Sequence, residues 1–281
     1  MKRNYSRIAN RIYNEVWLVL PSMHNSIRKQ FEAHVAGIKA ALPSDDDLAE
    51  DEAESQPEVV NSVGVIPIDG TLGNKLSLME TECGGVDCED IGEQLQAFAN
   101  NPDISTIILD FNSPGGVSQG IPELAQLISE VDKVKPVYAY CSATCASAAY
   151  WLASQARAII VSPSSDIGCV GVYMYLEDQT RAYENAGIKV NCIVSQGSPL
   201  KTMGAPWQVL TDEQRAILQA EADKLYTEFT AAIASKRTVQ PELLKGQCVS
   251  GEEAVAGGLA DGLANSLDEL LSLFKANAPT T

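Results

Sequence analysis

The sequence Asn112-Ser113-Pro114-Gly115-Gly116 closes an apolar run, and Cys145-Ala146-Ser147-Ala148-Ala149-Tyr150-Trp151 follows about thirty residues later. A Gly-rich turn directly after a strand turns backbone N–H groups outward, and a serine at the start of a small-residue helix is a candidate nucleophile. The only two histidines, His24 and His34, lie far upstream. Lysine is then the remaining candidate base, so the two segments together predict acyl-transfer chemistry with a Ser-Lys pair.

Strand and helix patterns alternate on both sides of these segments. The β-rich apolar runs predict strands at 63–68, 104–111, 137–141, 158–161, 168–173 and 189–194. Periodic apolar stripes predict helices at 87–99, after Gly116, at 146–154, at 178–186 and from Thr211, where Gln214 completes a capping box. This alternation predicts an α/β fold with a largely parallel sheet.

The N-terminal part of the chain differs in charge from the rest. Residues 1–43 carry seven basic and two acidic side chains, whereas 44–58 carry eight acidic residues and no basic one. A run of like charges repels itself and stays solvated. We therefore expect a basic helical extension over 1–43, an acidic linker over 44–58, a domain that carries the Ser-Lys pair over 59–275 and a disordered tail over 276–281.

Composition excludes several partners and cofactors. The net charge of -17 argues against nucleic acid, which needs a basic face. The seven cysteines are an odd number without metal-ligand spacing, so we expect free thiols in a reducing compartment, no metal and no cofactor. The early apolar stretch 16–20 is far shorter than the roughly 20 residues that a membrane span needs. We expect no membrane partner and a cytoplasmic protein.

The backbone donors for an oxyanion are predicted at two places. Gly115 and Gly116 give the turn the freedom to present N–H groups at the carboxyl end of a strand. The N–H of Ala148 lies in the first turn of a helix, where the helix dipole also favours a negative charge. The alternatives are an ordinary β-to-α turn, and for Ser147 a serine in a small-residue packing helix.

Lys201 has the most suitable surroundings for a general base. A lysine normally has a pKa near 10.4, and burial without a carboxylate partner lowers it. No acidic residue occurs from Ser195 to Val209 around Lys201. The remaining candidates lie in a surface-like turn, at a strand start or among helix charges: Lys133, Lys135, Lys189, Lys224 and Lys236. A solvated loop lysine is the alternative for Lys201.

The order and spacing of these segments resemble the signal peptide peptidase A family of serine peptidases, in its phage head-maturation protease branch. The matching segments lie between Val63 and Leu263 and are Ile66–Gly70, Asn112–Gly116, Ala146–Trp151, Gly168–Val172, the Lys201 segment with Leu210-Thr-Asp-Glu213, and Gly257–Asp261. The resemblance implies a caseinolytic-protease/crotonase-like fold of repeated β-β-α units.

The resemblance also implies roles for individual residues. Ser147 would be the nucleophile and Lys201 the general base. The N–H groups of Gly115, Gly116 and Ala148 would form the oxyanion hole. The family typically has serine at the position of Cys169, hydrogen-bonded to the lysine, so a weaker thiol partner stands here.

The function implied by the resemblance is endoproteolysis of scaffold and capsid proteins during phage head maturation, in the host cytoplasm or the prohead interior. Related proteins form homo-oligomeric rings, in some of which Ser and Lys meet across a subunit boundary. Three alternatives stay open at this point. They are a soluble cytoplasmic peptidase of the same mechanism, an inactive assembly protein and a crotonase-like acyl-CoA enzyme that would use an acid pair.

Overall fold

The computed structural model of the chain describes residues 6–36 and 56–276. Most of the expected acidic linker and most of the expected tail lie outside the described residues. The strands are β1 Val16–Val19, β2 Glu58–Val60, β3 Val63–Asp69, β4 Thr71–Gly73, β5 Gly85–Asp87, β6 Thr106–Ser113, β7 Gly115–Val117, β8 Val137–Ala146, β9 Ala158–Val161, β10 Asp166–Gly168, β11 Tyr173–Met174, β12 Cys248–Ser250 and β13 Gly262–Leu263. The α-helices are α1 Ser6–Asn14, α2 Pro21–Val35, α3 Leu78–Thr81, α4 Cys88–Asn100, α5 Ile121–Val134, α6 Ala148–Ser154, α7 Thr180–Asn185, α8 Asp212–Ala234, α9 Gly251–Gly257 and α10 Leu267–Ala276.

The main sheet has the strand order β12-β10-β8-β6-β3-β2, with β9 and β13 joined to it through β8. Its central pairs, β3 with β6, β6 with β8 and β8 with β10, are parallel, whereas the outer strands β2 and β12 run antiparallel to their neighbours. The predicted α/β fold with a largely parallel sheet is therefore confirmed.

The chain repeats a β-β-α unit. In β3-β4-α4 and in β6-β7-α5 the long strand joins the main sheet and the short strand joins a second sheet, of order β11-β1-β7-β4-β5. Side chains alternate across β6, so that Ile107 and Leu109 face one core cluster and Ile108 faces another, smaller one that includes residues of α10. The repeat brings the carboxyl ends of β6 and β8 together, next to the second sheet.

Helix α6 lies in the centre of the fold. All seven of its residues are buried, and Trp151 stacks on Phe229 of α8 with ring centroids 4.7 Å apart. Its alanines allow close packing, because a larger side chain would need space that a dense core does not offer. The position of the residue before this helix, Ser147, is therefore rigidly defined.

Three of the predictions about secondary structure need correction. The predicted strand 189–194 is absent, because that segment is largely exposed and pairs with no strand among the described residues. The predicted strand 168–173 is largely wrong, because only Gly168 and Tyr173 lie in strands, at the end of β10 and the start of β11, and residues 169–172 connect the two. The N-terminal extension has the expected helices α1 and α2, but between them β1 joins the second sheet. A four-residue strand is stable only with partners, and these are more than 90 residues away in sequence.

Candidate active site

Ser147 lies at the junction between β8 and α6 with an unusual backbone conformation. Its φ of 56° and ψ of -116° fall in a region that non-glycine residues rarely adopt. The junction is held by hydrogen bonds from the Ser147 N–H to the Gly168 carbonyl at 2.7 Å and from the Trp151 N–H to the Ser147 carbonyl at 2.9 Å. A strained serine between a strand and a helix is typical of a nucleophile.

The turn that contains Gly115 lies directly beside Ser147. The register between β6 and β8 shifts after Phe111, so that Ser113 pairs with Cys145. The Ser113 hydroxyl donates to the Gly70 carbonyl at 2.6 Å, which braces the turn. Gly115 has φ 97°, and a Cβ at this position would lie 3.0 Å from the Cβ of Ser147. The structure thus brings together the two segments from which the fold was predicted.

The predicted oxyanion donors have different surroundings. Gly116 lies inside the second sheet, opposite Leu18 of β1 and Leu72 of β4, and a Cβ there would overlap the Leu72 carbonyl. The Gly115 N–H lies 3.3 Å from the Ser113 hydroxyl oxygen, a long hydrogen bond. Ala148 is the first residue of α6, where helical N–H groups lack an intrahelical acceptor. Their role as an oxyanion hole stays a prediction.

Lys201 is in a different environment from Ser147. It lies in a 3-10 turn, Pro199–Thr202, with an exposed side chain, whereas Ser147 is 1 % exposed. Within the described part of the chain the Lys201 ammonium makes no hydrogen bond and no ion pair. A single copy of the chain therefore does not join the predicted base to the predicted nucleophile, and the dyad stays a prediction.

Cys169 has a partner that its sequence position does not reveal. It is buried, has φ 51°, and its N–H donates to the Gln247 carbonyl at 2.8 Å. A hydrogen bond with the Cys248 thiol lowers the pKa of Cys169, while the same bond and burial raise the pKa of Cys248. The antiparallel pairing of β10 with β12 brings these two thiols together. The expected role of Cys169 beside the lysine stays a prediction.

An acid pair, which the crotonase-like alternative would use, occurs on the face of the main sheet that carries Ile108. Asp110 of β6 is half-buried, and burial together with the nearby Asp69 charge raises its pKa to about 6. Asp69 accepts a hydrogen bond from the Asn112 amide at 2.9 Å. The opposite face, with Leu109 and Phe111, packs into the main core. Sequence inspection missed this pair because its proximity results from the alignment of β3 with β6.

Residues 6–36 and 56–276 contain no group of three or more His, Cys, Asp or Glu side chains that could hold a metal ion. None of their helices combines the length and the apolar character that crossing a bilayer requires.

The chain is similar in sequence to known peptidases. Residues 129–278, about half of the chain, match the profile of peptidase family S49. The chain belongs to peptidase family S49. This assignment agrees with the resemblance seen in the sequence, which rests on six segments between Val63 and Leu263.

The curated relatives include two bacteriophage proteins. The chain is 32% identical over 233 residues to capsid assembly protease C of Escherichia phage lambda, covering 82% of this chain and 52% of that protein. It is 30% identical over 215 residues to head-tail preconnector protein GP5 of Enterobacteria phage P21, covering 75% of this chain and 42% of that protein. The chain thus spans about half the length of these relatives. Among solved structures, an enoyl-CoA hydratase/isomerase family member aligns with 79% of this chain and 74% of its own, at 16% identity and a TM-score of 0.42.

Proposed function

We propose that this chain is a serine endopeptidase that uses Ser147 and Lys201 and cleaves capsid or scaffold proteins during the maturation of a phage head. The observation that carries the proposal is the strained Ser147 at the β8–α6 junction, beside the Gly115 turn. Membership of peptidase family S49 and similarity to a phage capsid assembly protease support the reaction class and the substrate class.

The proposed reaction follows the acyl-enzyme route. A neutral Lys201 amine takes the proton from the Ser147 hydroxyl, and the oxygen attacks the carbonyl carbon of the scissile peptide bond. Backbone N–H groups of the Gly115 turn and of Ala148 stabilise the oxyanion. The C–N bond then breaks, the lysine returns the proton to the leaving amine, and a water molecule hydrolyses the acyl-enzyme.

We further propose that the base comes from a neighbouring copy of the chain in a homo-oligomeric ring. Burial favours the neutral form of an amine, but the Lys201 side chain is exposed in the single copy. The segment around it also exposes large apolar side chains, up to 98 % for Ile193; the set is Ile188, Val190, Ile193, Leu200, Trp207 and Val209. Such a concentration of apolar surface is typical of a protein–protein interface. Packing this surface against a second copy would cover Lys201 as well.

The test is co-expression of the full chain with candidate capsid and scaffold proteins, with mass spectrometry of the products. Wild type is compared with Ser147→Ala and Lys201→Ala. The matched controls are Ser154→Ala, a buried serine of α6 that bonds to the Trp151 carbonyl, and Lys189→Ala, an exposed lysine of the same segment. We expect a loss of about 10³-fold or more in the first two variants and none in the controls. Equal processing by all five proteins would refute the dyad.

A further inference from the structure

The second sheet contains a strand from the N-terminal extension, inserted beside the predicted oxyanion turn. On one edge of β1, Trp17, Leu18 and Val19 pair antiparallel with Val117, Gly116 and Gly115 of β7. The ladder extends past the strand, because the Leu20 N–H donates to the Pro114 carbonyl at 3.0 Å. On the other edge, β1 pairs antiparallel with Tyr173 and Met174 of β11. An extended segment of the chain therefore fills the space between β7 and β11.

The main chain of this segment passes next to Ser147. A Cβ at Gly115 would overlap the Leu18 carbonyl oxygen and would also lie 3.0 Å from the Ser147 Cβ. Gly115 therefore permits an extended chain to approach the candidate nucleophile closely. Ser147 itself is 1 % exposed, so no free substrate strand can reach it from solvent in this arrangement.

Peptides often bind to proteins as an added strand, with main-chain hydrogen bonds for affinity and side-chain pockets for specificity. We infer that β1 occupies the position of a substrate peptide, so that residues 16–20 are an intramolecular competitor which must leave before a substrate can bind. This inference rests on the proposed peptidase function and adds to it both a regulation and a description of the substrate.

The side chains of β1 indicate which substrates fit. Leu18 is completely buried and belongs to the main core cluster together with Leu72. Trp17 and Val19 point to the other side of the strand, into a small cluster with Val117 and Tyr173. Because side chains alternate along a strand, a peptide in this position presents one residue to the core and two to the small cluster. The substrate class is an extended segment with an aliphatic side chain at the Leu18 position, flanked by large apolar residues.

Polar contacts hold the two helices on either side of β1. Arg11 of α1 forms an ion pair with Glu80 at 2.8 Å, and both side chains are only 10% exposed. Arg28 of α2 lies 3.3 Å from Glu177, just beyond β11. A tethered segment competes at a high effective concentration, on the order of millimolar for short linkers. A weakly binding peptide therefore cannot displace β1 while these contacts persist.

The first test locks β1 in place in the full chain with Ser147→Ala as background, so that binding is measured without cleavage. Val16 and Met174 are paired across the two strands, and Val16→Cys with Met174→Cys creates a disulfide that reductant opens. The probe is a fluorescein-labelled peptide with the sequence of residues 14–22, followed by anisotropy. We expect at least tenfold weaker binding in the oxidised form, and no redox effect with Val16→Cys alone. Equal binding in the oxidised and reduced forms of the double variant would overturn the inference.

The second test weakens β1 instead. Trp17→Ala removes the indole that packs on His24, with ring centroids 4.7 Å apart, and we expect at least tenfold tighter binding of the same peptide. Met23→Ala, an exposed side chain of α2, is the matched control and leaves binding unchanged. Binding that does not tighten with Trp17→Ala contradicts competition by β1.

These results are independent of the proposed reaction. If β1 competes with the peptide but the chain that retains Ser147 cleaves nothing, the proposed peptidase activity is refuted, whereas the inference that β1 occupies the substrate position is not. If the chain that retains Ser147 cleaves substrate but peptide binding is unchanged in both tests, only the inference that β1 occupies the substrate position is refuted.

Discussion

Mixing two inactive variants tests whether Ser147 and Lys201 meet between copies of the chain. The two side chains are in different environments, since Ser147 is buried, whereas the Lys201 side chain is exposed and its ammonium makes no hydrogen bond or ion pair within residues 6–36 and 56–276. Ser147→Ala retains the lysine, and Lys201→Ala retains the serine. If one copy contributes the serine and the next contributes the lysine, a mixed ring contains some complete sites.

The expected recovery follows from the ring geometry. In an equal mixture, about half of the copies carry the serine and about half carry the lysine, so about a quarter of the sites between copies combine both. Each variant alone is expected to retain about 10⁻³ of wild-type activity or less. The mixture therefore exceeds either variant by about two orders of magnitude. A site within one copy predicts no recovery at all, since no chain carries both residues.

The assay is cleavage of a capsid or scaffold substrate at fixed total protein concentration, after co-expression of the two variants with different affinity tags. Sequential purification on both tags isolates rings that contain both chains, and native mass spectrometry measures their composition. Activity near a quarter of wild type supports a shared site. If mixed rings are no more active than either single variant, Ser147 and Lys201 do not meet between copies, and the exposure of Lys201 in the single copy has another cause.

Three further predictions concern stability and pH. Asp110→Asn should stabilise the protein by about 1–3 kcal/mol at pH 8, because the raised pKa of about 6 means that the folded state disfavours the carboxylate. In urea titrations the gain should shrink as the pH falls below 6 and disappear near the ordinary Asp pKa of about 4, and a pH-independent gain would contradict this cause. Burial lowers the pKa of His24, which packs against Trp17, Tyr173 and Tyr175 and lies near the Arg28 charge, so docking of β1 is strongest with neutral His24 and weakens as the pH falls through the range below 6.5. After correction for the slower intrinsic exchange at low pH, the hydrogen-exchange protection factors of residues 16–19 should be lower at pH 5 than at pH 7 in wild type but not in His24→Gln, and equal protection factors at both pH values in wild type would contradict the idea. The Asp87 side chain, directly before α4, accepts hydrogen bonds from the N–H groups of Lys75, Leu76 and Glu89, so Asp87→Ala should cost about 2–4 kcal/mol in urea unfolding. Asp90→Ala, at an exposed position in the first turn of α4, should cost less than about 0.5 kcal/mol, and equal losses would show that the shared acceptor is unimportant.

Elements with local sequence signals could be predicted before the fold was known. The apolar stripes of α4 and α5 and the capping box of Thr211 and Gln214 predicted helices that the structure contains. The sequence also indicated that the Asn112–Gly116 turn and Ser147, at the start of a small-residue helix, form one site, and the structure places them side by side. Helix periodicity, capping and turn chemistry depend on residues a few positions apart, so they can be recognised without knowledge of the fold.

Strand pairing and burial, in contrast, depend on contacts between segments that are distant in the sequence. Val16–Val19 became a strand because β7 and β11 offer free edges, whereas the equally β-rich segment 189–194 found none among the described residues. The pairing of β10 with β12 brings the Cys169 and Cys248 thiols together. The exposure of Lys201 likewise depends on the fold rather than on the neighbouring sequence. A strand satisfies its backbone hydrogen bonds on another segment, which no local pattern identifies. For that reason the competitor beside Ser147 became apparent only from the fold.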